Sequence, residues 1–101
     1  MIARMWKARA APDRAAEYAA YLRSTVIPEL AAIDGYVGMT LLERDRDDLV
    51  EVTVITWWQS IAAIRAFAGD AVETAVVHDT AARMLVDFDR AVTHHRVVVD
   101  E

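Results

Sequence analysis

The chain of 101 residues has no cysteine. Disulfides, thiolate nucleophiles and cysteine-held metals are excluded with it. A long apolar run is also missing: nothing approaches the ~20 residues that cross a bilayer, so no membrane partner is expected. The opening stretch "MIARMWKARAAPDR" carries charges every two or three residues, unlike a signal peptide, so a cytoplasmic location is the expectation. Basic excess is absent too. Lys and Arg number 11 against 16 Asp and Glu, and the net charge is −5. The cations are scattered, which leaves no footprint for nucleic acid. There are no repeats, linkers or low-complexity segments, so residues 1–101 read as one domain.

What is plentiful is apolar side chain, at 55% of residues. A chain this short buries only a modest core. Part of the apolar surface is therefore expected to be covered by a partner, most simply an identical subunit.

Periodicity divides the chain. "IARMWKARA" (2–10) alternates, with Ile2, Arg4, Trp6 and Ala8 on one side and Ala3, Met5 and Lys7 on the other, which predicts a strand. Ala15, Tyr18, Leu22, Val26, Leu30 and Ile33 recur at helical steps, predicting a helix over 12–33 with Pro12 near its start. Pro28 should bend it or split off its last turn, and Gly35 should close it. "YVGMTLLERD" (36–45) and "LVEVTVITWW" (49–58) flank the charged turn "RDRDD" and predict an antiparallel hairpin. Ser60 and Gly69 bracket a short helix over 61–68. "DAVE" (70–73) has capping-box spacing, predicting a second helical piece to about Val77. Asp79 should cap a third, with Ala81, Met84, Leu85 and Phe88 as its core stripe. "VTHHRVVV" (92–99) alternates as a last strand. The order β-α-β-β-α-β predicts an α+β, ferredoxin-like fold: an antiparallel sheet with helices on one face. The other face would carry Met5, Ile55, Trp57, Val97 and Val99, so a homodimer packed sheet to sheet is expected.

Two segments carry a family resemblance. "PELAAIDGYVG" (28–38) and "VITWWQS" (54–60), supported by "IRAFAGDAVETAV" (64–76) and "LVDFDRAVTHHRVV" (85–98), resemble the antibiotic biosynthesis monooxygenase superfamily of small dimeric α/β barrels. The resemblance spans nearly the whole chain and implies fold more strongly than chemistry. In its cofactor-free monooxygenases a Trp at the end of strand three lies in the substrate cavity, and Trp58 matches it. An Asn four residues earlier is replaced here by Val54. Haem-degrading members use an Asn on strand one and a Trp–His pair in and after the second helix. Strand one here has no Asn, Phe67 stands at the Trp position, and His78 falls within one residue of the His position. The resemblance thus disfavours haem degradation and implies no cofactor.

The candidate site follows. Trp58 shares parity with Val50, Val52, Val54 and Thr56 and is expected on the helix side, as core filler or cavity wall. Trp57 is expected against the partner subunit. His78 and His94 are the candidate bases. The parity of His94 and His95 leaves open which faces inward. Consecutive strand residues point oppositely, so the pair cannot share one metal ion, and no metal site is expected. Arg65 either reaches inward to hold a phenolate or carboxylate or lies along the surface and pairs with Asp70. Trp6 and Phe67 complete the expected substrate-binding set, with Arg4, Tyr18 and Tyr21 as further cavity candidates. The expected ligand is an apolar aromatic small molecule. Two functions compete: cofactor-independent oxygenation of a phenolic or polyketide-like substrate, and a non-catalytic ligand-binding or interaction module on the same fold.

Overall fold

In a computed structural model that describes residues 1–101, β1 (Ile2–Ala10) lies at the centre of an antiparallel sheet. The hairpin of β2 (Tyr36–Arg46) and β3 (Leu49–Trp58) flanks it on one side, with β3 innermost. Two short strands, β4 (Asp87–Phe88) and β5 (Thr93–Arg96), pair successively with the other edge of β1. All pairings are antiparallel, as the βαββαβ order requires. The register sets Ile2 opposite Trp58, Arg4 opposite Thr56 and Trp6 opposite Val54. Since side chains alternate along a strand, these six share the helix-covered face.

The first helical arm begins at Ala15, not at residue 12, because residues 12–14 form a turn closed by the Arg14 amide on the Ala11 carbonyl (2.9 Å). It runs as α1 (Ala15–Tyr21), a π-helical turn (Leu22–Val26) and α2 (Ile27–Ala31). Pro28 accounts for the π turn: it has no N–H for a carbonyl four residues back, and its ring would crowd that carbonyl. The Ile27 amide instead reaches the Leu22 carbonyl, five residues back. No helix is long and apolar enough to cross a membrane.

α3 (Ile61–Ala68) has the predicted bounds. The Ser60 hydroxyl accepts from the Ala63 amide at 3.2 Å, and Gly69 ends the helix at φ +79°. Gly35, at φ +95°, has a second constraint: a Cβ there would lie 2.5 Å from the Ala63 Cβ. Gly35→Ala should therefore cost ~2–4 kcal/mol, combining backbone strain with overpacking. Gly69→Ala meets no atom within 4 Å and should cost ~1–3 kcal/mol from strain alone. Urea midpoints of the two variants check the ranking.

The predicted helical piece after Gly69 does not form. Residues 70–77 run as an irregular strap with one isolated bridge, Thr74 to Ala91. Its polar groups are engaged elsewhere: the Val92 amide donates to the Glu73 carbonyl and the Ala75 amide to the Arg90 carbonyl, at 2.8 and 2.9 Å. α4 (Asp79–Met84) follows, with His78 rather than Asp79 at its cap position. The predicted stripe is core, but it is not one helix. Ala81 and Leu85 are buried, while Phe88 packs against them from β4. The last strand is also shorter than expected: Val98 and Val99 are exposed beyond β5.

The sheet face away from the helices carries Met5, Ile55, Trp57 and Val97, all half-buried. At its other end Glu51 is ringed by Lys7, Arg44 and Arg46 at 3.8, 3.2 and 3.2 Å.

Candidate functional site

Two buried clusters fill the space between helices and sheet. One joins Tyr18 and Leu22 of the helical arm to Ala8, Val52 and Val54. The other gathers Leu30, Ala63 and Ile64 around Trp58. A cavity of about 90 Å³ opens at the seam between them. Of its 18 lining residues 14 are hydrophobic, which suits an apolar ligand. The sheet supplies Arg4, Trp6, Val54 and Thr56, the helical arm supplies Tyr18 and Leu22, and the strap supplies Ala75 to Val77.

Trp6 and Phe67 both line the cavity, as expected. The Trp6 indole is fixed by its Nε1 donating to the Asp89 carbonyl at 2.6 Å, and its ring lies 6.1 Å from that of Phe88. Trp58 lies on the predicted face but does not border the cavity. It is fully buried, and its Nε1 donates to the Thr56 hydroxyl at 2.8 Å. Phe67 takes the wall position in its place and stacks on Trp58 at 5.8 Å between ring centroids. Tyr36 meets Trp58 edge-on at 5.5 Å. Arg65 is exposed and has no place in the cavity, nor does it pair with Asp70. Its position on α3 turns it to solvent, while Ala63 and Ile64 take the buried face.

The histidines separate clearly. His78 is exposed and sits at the rim of the cavity. β5 pairs His94 with Arg4 and His95 with Ala3, so His94 faces the helix side and His95 the bare side. His95 contacts the Thr93 hydroxyl there at 2.8 Å. His94 does not touch the cavity but stands behind Arg4, with Nε2 3.0 Å from the guanidinium.

Arg4 organises this region. Its side chain is only 5% exposed. Nη1 donates to the Val72 carbonyl at 2.6 Å and to His94, and Nη2 donates to the Thr74 carbonyl at 3.1 Å. The guanidinium carbon lies 5.7 Å from the centre of the Phe67 ring, within cation–π range. Arg4 thereby ties the strap to the sheet, and its carbonyl contacts explain why residues 70–77 do not close into a helix. Burial, only partly offset by Glu73, pulls the Arg4 pKa below its ordinary value.

An arginine only donates hydrogen bonds. His94 Nε2 must therefore accept, which puts the imidazole proton on Nδ1 and leaves the ring neutral. Burial, followed by the nearby Arg4 charge, lowers the His94 pKa. The unfolded chain thus binds the proton more readily, starting near pH ~6.5. Stability attributable to His94 is complete above that pH and falls as the pH drops toward the lower folded value. Urea midpoints should decline from pH 7 to 5 in the wild type and decline less in His94→Gln. An unchanged decline would assign the effect to other groups.

Tyr18 faces the cavity from the helical arm. It is 2% exposed, and burial raises its pKa well above the ordinary phenol range. Its hydroxyl makes no hydrogen bond within the protein, yet no fully buried polar atom is left without a partner. The hydroxyl therefore keeps a small opening toward the cavity.

A five-stranded antiparallel sheet, helices on one face and a small apolar space between the layers define a ferredoxin-like α+β protein with an interlayer cavity. Residues 1–77 match the family described as antibiotic biosynthesis monooxygenase. The chain belongs to that family. No curated protein shows a significant sequence match. Among solved structures, a haem degrader from Mycobacterium tuberculosis, MhuD, determined with two haems in its active site, is similar at a TM-score of 0.63 and 18% identity, over 100% of this chain and 99% of that one. Rv0793 from the same organism is similar at a TM-score of 0.57 and 20% identity, over 99% and 96% of the two chains. At these identities the likeness is one of fold.

Proposed function

We propose that this protein takes an aromatic small molecule into the interlayer cavity and oxygenates it without a cofactor, working as a homodimer. The observation that carries this reading is the apolar, solvent-open cavity with an imidazole, His78, at its rim. Trp6 and Phe67 offer flat faces for a ring. His78 takes a proton from an activated ring carbon, and the resulting carbanion reduces dioxygen. One oxygen atom stays on that carbon as a carbonyl and the other leaves as water. A CH2 becomes C=O, and the substrate supplies all four electrons. The protein contributes orientation and a dry wall.

The non-catalytic reading has its own support. Val54 stands where family monooxygenases carry an Asn, and the Nε2 of His94 is held by Arg4. Haem chemistry is the weaker fit. β1 has no Asn, Phe67 replaces the expected Trp, and the cavity has room for about one ring rather than a porphyrin.

The proposed dimer buries the face bearing Met5, Ile55 and Trp57. Anthrone in aerated buffer without added cofactor separates the functional readings, with one outer ring entering the cavity and the reacting central ring at the mouth beside His78. Saturable formation of the quinone that His78→Ala abolishes supports oxygenation. Saturable binding without turnover favours the binding module, and no binding overturns both. Sedimentation should show a dimer at micromolar concentration that Trp57→Ala weakens. A wild-type monomer there would dismiss sheet-to-sheet pairing.

A further inference from the structure

The cavity wall contains a buried positive charge, Arg4, that no carboxylate contacts; the one acidic lining residue, Glu29, is exposed at the rim on the helical arm. Arg4 takes part in none of the ion pairs of the chain, which engage Lys7, Arg9, Arg14, Arg44 and Arg46. His94 cannot supply the missing negative charge, because an imidazole is either neutral or cationic. Glu73, the acidic residue whose field reaches Arg4, is exposed and makes no contact of ion-pair length with it. A guanidinium has five N–H groups. Three are committed to Val72, Thr74 and His94. The Nε–H and one Nη2–H have no acceptor in the protein, and Arg4 borders the cavity.

Burying a charge without a counter-charge in contact is costly, and here the cost is concentrated at one edge of a mainly apolar space. Tyr18, a residue only 2% exposed whose hydroxyl has no partner in the protein and keeps a small opening, faces the same space from the helical side. A neutral phenol is a donor as well, so the two unsatisfied groups ask for the same thing: an acceptor oxygen, best one carrying negative charge. Trp6, Phe67 and Val54 between them ask for a flat apolar body. The cavity, about 90 Å³, is smaller than the ~150 Å³ in which an engineered apolar cavity holds benzene. No more than one ring can therefore enter it, with the rest of the ligand at the open mouth.

We propose that Arg4, assisted by Tyr18, is the specificity-determining anion receptor of the cavity, selecting one-ring aromatic ligands that carry a single anionic oxygen group. This deepens, and rests on, the reading of the cavity as an aromatic-ligand site. In that role Arg4 both fixes the strap that walls the cavity and completes its own hydrogen bonding with the ligand, so occupancy and strap order are coupled.

Benzoate and benzamide are nearly isosteric and differ in charge, and acetate carries the charge without the ring. Titrations of the 101-residue protein at constant ionic strength, by calorimetry, should give at least tenfold tighter binding of benzoate than of benzamide and none of acetate. Arg4→Gln should bring the two aromatic affinities together, with circular dichroism confirming the fold. Tyr18→Phe should weaken benzoate several-fold and benzamide less. In the wild type, the Arg4 Nε–H resonance should move on adding benzoate and stay with benzamide, a readout that stands even where Arg4→Gln fails to fold. Equal affinity for benzoate and benzamide overturns the proposal while leaving the aromatic cavity intact. So does a preference that survives Arg4→Gln, or an Arg4 Nε–H that does not move. Binding of neither aromatic overturns the cavity reading as well.

Discussion

Trp58→Ala should lower stability by ~3–5 kcal/mol, the range for truncating a fully buried large aromatic. The ring is fully buried, stacked on Phe67, edge-on to Tyr36 and surrounded by Leu30, Ala63 and Ile64. No neighbouring element is free to collapse into so large a gap, because Trp58 sits where the sheet meets both the helical arm and α3. The Thr56 hydroxyl also loses the indole donor it now accepts from. For a domain of this size the loss corresponds to a fall of roughly 10–40 °C in melting temperature. Thermal melts followed by circular dichroism will measure it. Trp58→Phe should keep much of the packing and leave ligand affinity near wild type, since Trp58 does not border the cavity. A Trp58→Phe variant that melts normally but loses the ligand would return Trp58 to the cavity wall.

Arg4→Met should act on a different part of the molecule. The methionine fills some of the apolar volume but leaves the Val72 and Thr74 carbonyls without their donor. Each buried group so stranded costs ~1–3 kcal/mol, and the strap can relieve the cost by lifting into water. The expected result is a global loss of ~2–4 kcal/mol together with local opening. Hydrogen exchange should quicken at the Ala75 and Val92 amides, which hold the strap to residues 90 and 73. Amides in the centre of β3 should quicken only as far as the global loss of stability requires. Arg4→Lys should fall between, because one ammonium cannot span both carbonyls and His94 as a planar fork does. Unchanged exchange in the strap would mean that its backbone pairing alone secures it.

Much of the fold was legible because its signals are local. Alternation in 2–10 and 49–58 placed Trp57 and Trp58 on opposite faces, and the register bears this out. Ser60 and Gly69 bracket α3 because an N-cap hydroxyl and a positive-φ cap are written at single positions. The strap was misread for the opposite reason. "DAVE" has the right spacing for a capping box, but Arg4 claims the carbonyls of Val72 within it and Thr74 just after it, 68 and 70 residues away. Phe88 fitted a helical period by coincidence, while the chain at Leu85 had already turned extended. The parity of His94 and His95 could not be assigned from neighbours equally apolar on both sides, and only pairing with β1 settles it. Of the site residues expected from the sequence, Trp6, Phe67 and His78 border the cavity and Trp58, Arg65 and His94 do not. The weight of Arg4 was missed, because a single Arg in an alternating strand carries no mark of being buried.

The π turn at Leu22–Val26 has a further consequence for the angular phase of the helical arm. A π turn amounts to one residue inserted into an α-helix, and each residue advances the helix by about 100°. Everything after Val26 is therefore rotated relative to where an uninterrupted helix would carry it. That rotation brings Leu30 into the core at 2% exposure and leaves Glu29 on the cavity rim. Without the extra residue the same side chains would follow one another at the same rise but point a quarter-turn or more away. The composition of the cavity wall on this side is thus governed by a count of residues as much as by their identity.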